Sequence, residues 1–72
     1  MANFRFAQYD DTHYNLHRLS AVKVVNDNDT YLIAYFVGVA DPVVVRKGST
    51  HAYQFIGELH QQSGVDLLRL VR

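Results

Sequence analysis

The segment "TYLIAYFVGV", residues 30–39, constrains the fold more than any other part of this sequence. Its side chains alternate with the period of a β-strand. Apolar side chains occupy both faces of that strand, with Tyr31, Ile33 and Tyr35 on one face and Leu32, Ala34 and Phe36 on the other. A strand that is buried on one side only would alternate apolar with polar residues. The segment therefore predicts a central strand whose second face is covered by the domain itself or by a partner.

Four further strands are predicted around this segment. They are residues 4–9, 20–25, 43–47 and 65–72. The sequences "NDND" (26–29) and Asp41-Pro42 are typical of turns and separate the middle three strands. Asn15 is expected to cap a single helical turn that directs Leu16 and Leu19 inward.

The periodicity changes after residue 48. Spacing at i, i+3, i+4 and i+7 predicts a helix with one apolar face, formed by Ala52, Phe55, Ile56 and Leu59. Ser49 or Thr50 can cap its start, and Gly64 can end it. Gly57 lies inside the helix, where glycine costs about 1 kcal/mol relative to alanine, and we expect close approach of the helix to the sheet to require it.

Together these elements predict one α+β domain over residues 1–72. The expected architecture is a mostly antiparallel sheet of about four to five strands with one helix from the C-terminal half packed on one face, in the order β-β-β-β-α-β. One helix covers only one face of such a sheet. The other face is then covered by a second copy or by another protein, or the sheet curls on itself into a barrel-like monomer.

Composition excludes several kinds of protein. The chain of 72 residues contains no cysteine, which excludes disulfides and thiol chemistry. Its formal net charge is zero, which argues against a main role in coating nucleic acid. No apolar run approaches the ~20 residues of a membrane span, and no signal-peptide core is visible. We expect a cytoplasmic protein without membrane contact.

The histidines and acids do not predict a metal, a cofactor or a catalytic residue. His13 and His17 would stand roughly 13 Å apart on a strand, at ~3.3 Å per residue, which is too far to share one ion. His51 and His60 fall on opposite sides of the predicted helix. No serine has a nucleophile motif, and no pair of acids has a distinctive spacing. We therefore expect a protein that is not an enzyme.

The stretch "RKGST", residues 46–50, is a candidate anion site. If the helix begins near Thr50, its free N–H groups lie beside Arg46, Lys47 and Ser49, and helix N-termini attract phosphates and carboxylates. Nucleic-acid or nucleotide-phosphate binding through this stretch is the alternative function. Ordinary capping of the helix explains the same residues.

Five tyrosines in so small a chain favour a protein partner, because tyrosine combines a rigid apolar ring with a polar tip. Tyr31, Ile33 and Tyr35 are the candidate contacts. The function predicted is a small non-enzymatic protein-interaction module, bound to a protein partner or to a second copy as a homodimer. Short, cysteine-poor chains of this kind are typical of phage or mobile-element accessory proteins that bind and inhibit a host or defence protein. The predicted β-β-α-β tail resembles, in topology only, small phage inhibitors of host RNA polymerase.

Overall fold

The structure, a computed structural model, describes residues 5–71. Its elements are β1 (Phe6–Tyr9), β2 (Thr12–Asn15), a 3-10 turn (Leu16–Arg18), β3 (Leu19–Asn26), β4 (Thr30–Phe36), β5 (Val43–Arg46), α1 (Thr50–Ser63) and α2 (Leu67–Leu70). The strands form two antiparallel sheets, ordered β1-β2 and β3-β4-β5. The α+β class is confirmed, but the strands are divided between two sheets where a single one was predicted. Residues 4 and 72, the outer ends of two predicted strands, lie outside the described residues.

The β1-β2 hairpin contains a strand that the sequence does not signal. Tyr9 pairs with Thr12, so Asp10 and Asp11 alone make the turn. Asp10 adopts a φ of 54°, a left-handed conformation that aspartate tolerates better than most residues. The polar sequence "THYN" has no apolar alternation, and β2 forms because this tight turn lays it against β1. Asn15 then caps the 3-10 turn as predicted, accepting the His17 N–H at 3.0 Å.

The larger sheet has β4 at its centre, as the two apolar faces of that strand predicted. Asn26 pairs with Thr30 across the predicted 26–29 turn. A bulge interrupts the pairing of β3 with β4 between Leu19 and Ala21. Within residues 5–71 β3 and β5 remain the two edges and the sheet does not close, so the barrel-like alternative is wrong for this part of the chain.

One face of this sheet, the inner face, forms the core with α1. The buried sheet residues are Leu32, Ala34, Phe36, Val43 and Val45, and the buried residues of α1 are Ala52, Phe55, Ile56 and Leu59, the predicted stripe. Ser49 caps α1 by accepting the Ala52 N–H at 3.1 Å. Gly64 ends it with a φ of 76°, where a side chain would be strained.

An aromatic cluster joins the β1-β2 hairpin to this core. The Phe55 ring lies 5.2 Å from that of Tyr9 and 5.8 Å from that of Tyr14, and Tyr14 stacks on Phe36 at 5.1 Å. An ion pair between Arg5 and Glu58, at 2.8 Å, adds a polar contact between the N-terminal segment and α1. The hairpin therefore packs on the same side of the large sheet as the helix.

The predicted last strand is wrong, because residues 67–70 form the short helix α2. Asp66 caps it by accepting the Arg69 N–H at 3.3 Å. Leu67 and Val71 are both buried, so the apolar spacing that matters here is the i, i+4 of a helix rather than strand alternation. Without that strand the chain no longer has a β-β-α-β tail, and the topological similarity to the phage polymerase inhibitors fails.

Gly57 does not mark close packing. A Cβ at this position would meet nothing within 4 Å, so the helix does not need glycine there to approach the sheet. The expectation based on close approach is therefore wrong.

Candidate protein-interaction surface

The outer face of the β3-β4-β5 sheet is the candidate site, and we call it the open face. Strand pairing defines its members, because residues directly opposite one another in antiparallel strands share a face. They are Ala21, Lys23 and Val25 of β3, Tyr31, Ile33 and Tyr35 of β4, and Val44 and Arg46 of β5. The predicted contacts Tyr31, Ile33 and Tyr35 thus form its central row.

The open face is apolar and accessible. Six of its eight side chains are aliphatic or aromatic, and none of the eight is buried. Tyr35 is 39% exposed and Val44 is 41% exposed, whereas the neighbouring Leu32 and Val45 on the inner face are 0% exposed. The same two strands therefore bury one apolar row completely and leave the other row available for contact.

A cation holds one end of the central row in place. The Arg46 guanidinium lies 4.8 Å from the centre of the Tyr31 ring, and its Nη1 lies 3.7 Å from Asp29 Oδ2. Both charged side chains are 62% exposed, so this ion pair adds little stability. Its effect is on geometry: it places Arg46 beside Tyr31, and tyrosine and arginine are both enriched at the energetic centres of protein interfaces.

The other end of the row is supported by the bulge in β3. The Ser20 hydroxyl donates to the Tyr35 carbonyl at 3.1 Å. This bond satisfies a backbone acceptor at the point where regular pairing is interrupted. Tyr35 is therefore held on a well-formed strand, although its side chain is exposed.

The predicted anion site is not gathered at one place. Arg46 lies on the open face, opposite the side that α1 covers. Ser49 already uses its hydroxyl oxygen to cap the helix, Thr50 is the first helical residue, and Lys47 is half-buried beside them. Three of the four predicted residues therefore remain near the helix start, and the fourth contacts Tyr31.

Two further polar residues have structural partners. His51 Nε2 accepts the Asp10 N–H at 2.9 Å, and its ring stacks on Tyr9. The Ser63 hydroxyl accepts the Val65 N–H at 3.1 Å. Within residues 5–71 no three histidine, aspartate or glutamate side chains come together in a way that could hold a metal ion.

Sequence reasoning missed five of the eight residues of the open face. It named the β4 residues but assigned Arg46 to the anion site and gave no role to Val25 and Val44. A usable signal was present, because "VVVR" alternates in the same way as the central strand and the Asp41-Pro42 turn makes the two strands neighbours.

Comparison with known proteins adds no relative: no protein-family model, no curated protein and no solved structure matches this chain. Neither helix within residues 5–71 has the length and apolar character needed to cross a membrane.

Proposed function

We propose that this chain is a small non-enzymatic protein-interaction module whose open face binds a protein, either a different protein or a second copy of itself. The observation that carries the proposal is the accessible apolar row Tyr31, Ile33 and Tyr35 on the central strand, whose residues on the opposite face, Leu32, Ala34 and Phe36, are buried. Contiguous apolar surface of this kind on a small domain is typical of a contact surface.

The composition of the open face supports a protein partner over a small molecule. It is a pleated surface rather than a cavity, and it combines two tyrosines, one arginine and several aliphatic side chains. Such residues supply buried area at low entropic cost. The two cations Lys23 and Arg46, on the two edge strands, make the margin of the open face positively charged. A partner surface with apolar residues at its centre and acids at its margin would fit this face.

The test compares Tyr35→Lys with the matched control Val39→Lys. Val39 is 45% exposed and lies outside the sheet, whereas Tyr35 is 39% exposed at the centre of the open face. Light scattering at micromolar concentration measures self-association, and affinity capture from the cells that naturally carry the gene identifies other partners. We expect an association that survives Val39→Lys and is lost in Tyr35→Lys.

Two results would contradict the proposal. One is a monomer that captures no protein in a Tyr35-dependent way. The other is salt-sensitive binding of an oligonucleotide that requires Lys47 and Arg46, because steep salt dependence indicates phosphate contacts. That result would favour the alternative function at residues 46–50. The narrower hypothesis, a phage or mobile-element protein that inhibits a host or defence protein, is tested by the identity of the captured partner.

A further inference from the structure

A second surface lies along β3, which is the longest strand of residues 5–71 and an edge strand. Within those residues only β4 pairs with it. In antiparallel pairs, alternate residues direct their N–H and C=O groups toward the partner strand, and the intervening residues direct theirs away. About half of the eight residues of β3 therefore offer unpaired backbone groups to a further strand.

A groove of about 500 Å³ follows this free edge. Side chains from both faces of β3 line it, Ala21 from the open face and Val22 and Val24 from the inner face, so it runs along the edge rather than over one face. The opposite wall comes from the end of α1, the turn after it and α2. That wall combines the polar Gln62 and Ser63 with two accessible apolar side chains, Val65 at 47% and Leu70 at 49% exposed. Among residues 5–71 no charged residue lines the groove.

Lys23 gives this edge a charge preference. It lies between Val22 and Val24, and its cross-strand neighbour is Ile33. It makes no ion pair with any described residue. If two copies paired through the middle of β3 about a two-fold axis, Lys23 would lie opposite or diagonal to its own copy, and like charges in those positions destabilise a strand pair. The lysine therefore disfavours a second copy and favours a strand that carries an acid.

We propose that the free edge of β3 and the groove beside it bind an extended, acidic segment of another protein, which adds to the sheet as a further strand. Strand addition of this kind draws its affinity from backbone hydrogen bonds and its specificity from pockets for alternate side chains. The expected ligand sequence is apolar–acidic–apolar. The acidic residue of the ligand would lie beside Lys23 on the open face. The two apolar residues that flank it in the ligand would point to the groove side, toward Val22, Val24 and Leu70.

The first experiment selects the ligand. A random library of peptides of about ten residues, long enough to span β3 at ~3.3 Å per residue, is displayed on phage and panned against the full chain. We expect the selected peptides to share an aspartate or glutamate flanked by apolar residues. A synthetic consensus peptide, labelled for fluorescence anisotropy, then serves as the probe.

Two further measurements separate strand addition from general apolar binding. The first is a scan of N-methylated peptides: loss of binding should alternate along the peptide, because only every second N–H faces β3. The second compares Leu70→Ser with Val39→Ser, which alters a side chain of similar exposure outside the groove. Leu70→Ser should weaken binding about tenfold or more, as expected for removal of one buried leucine from a contact, and Val39→Ser should not.

Charge reversal supplies the last test. Lys23→Glu should lower the affinity for the acidic peptide. The same variant should bind a peptide in which the acidic residue is replaced by lysine. The proposal is overturned if the library yields no binder, if the N-methyl scan does not alternate, or if Leu70→Ser and Val39→Ser have equal effects. It is also overturned if light scattering finds a dimer that Leu70→Ser dissociates, since a second copy would then occupy the groove. Only Lys23→Glu changes a residue of the open face. The N-methyl scan and Leu70→Ser leave that face intact, so their failure leaves its proposed function standing.

Discussion

Replacing Phe55 with alanine tests whether one side chain joins the two sheets. Phe55 is 1% exposed and lies on the apolar face of α1. Its ring is within 6 Å of both Tyr9 and Tyr14 in the hairpin, at 5.2 and 5.8 Å between ring centres. Its removal would leave a cavity where the hairpin, the helix and the large sheet meet.

The expected loss is large compared with the stability of the whole domain. A buried phenylalanine replaced by alanine costs about 3–5 kcal/mol, and the two aromatic contacts place Phe55 in the upper part of that range. A chain of 72 residues has a free energy of unfolding of about 4–11 kcal/mol, at roughly 0.05–0.15 kcal/mol per residue. The alanine variant should therefore lose more than about a third of that free energy. Phe55→Leu, which keeps most of the volume, should lose less than about 1.5 kcal/mol.

Urea unfolding followed by far-UV circular dichroism measures these losses. With a slope of about 1 kcal/mol per molar urea, typical of the smallest domains, the midpoint should fall by about 3 M or more in Phe55→Ala. Tyr53→Ala is the control on the same helix, because Tyr53 is 41% exposed, and it should change the stability by no more than about 0.5 kcal/mol. If Phe55→Ala lowered the midpoint no more than Tyr53→Ala, the aromatic cluster would not be where the structure places it.

Three smaller predictions use the same measurement. Phe36→Asp should destabilise the protein by several kcal/mol, about what an unpaired charge in a core costs, and an unchanged melting temperature would place β4 elsewhere. Ser49→Ala should cost about 1 kcal/mol through loss of the helix cap, whereas Ser49→Asp should restore it, and equal losses in both would refute the cap. Gly57→Ala should raise the free energy of unfolding by about 0.5–1 kcal/mol, because the added methyl group meets no atom within 4 Å, and a loss would show crowding there.

The parts of the fold that were predictable from the sequence are those with a strong local period. The two-faced alternation of residues 31–36 identified the central strand, and the i, i+3, i+4, i+7 spacing with Ser49 and Gly64 identified α1 with its caps. Each of these signals is contained within one element, so it does not depend on how the elements pack.

The errors fall where tertiary contacts override weak local patterns. "THYN" forms β2 because a two-residue turn and the contact of Tyr14 with Phe36 hold it in place, and neither is visible in the polar sequence itself. Residues 65–71 fit both a strand and a short helix, and burial of Leu67 together with Val71 selects the helix. Only three of the eight residues of the open face were predicted, because residues such as Val25, Val44 and Arg46 join it through strand pairing, a relationship between separate strands.

The position of the β1-β2 hairpin against α1 also has a consequence for the order of folding during synthesis. The hydrogen bond from Asp10 to His51 and the ion pair from Arg5 to Glu58 span 41 and 53 residues of chain. An isolated two-stranded hairpin is barely stable in water. We therefore expect the β1-β2 hairpin to become stable only after α1, which is synthesised later, has been made. The β3-β4-β5 meander closes through short turns, and we expect it to form earlier, with its inner face uncovered in the nascent chain. Until α1, which ends at residue 63, has left the ribosome, we therefore expect both faces of the central strand to be available to chaperones. Packing of α1 then covers the inner face, and the open face stays accessible.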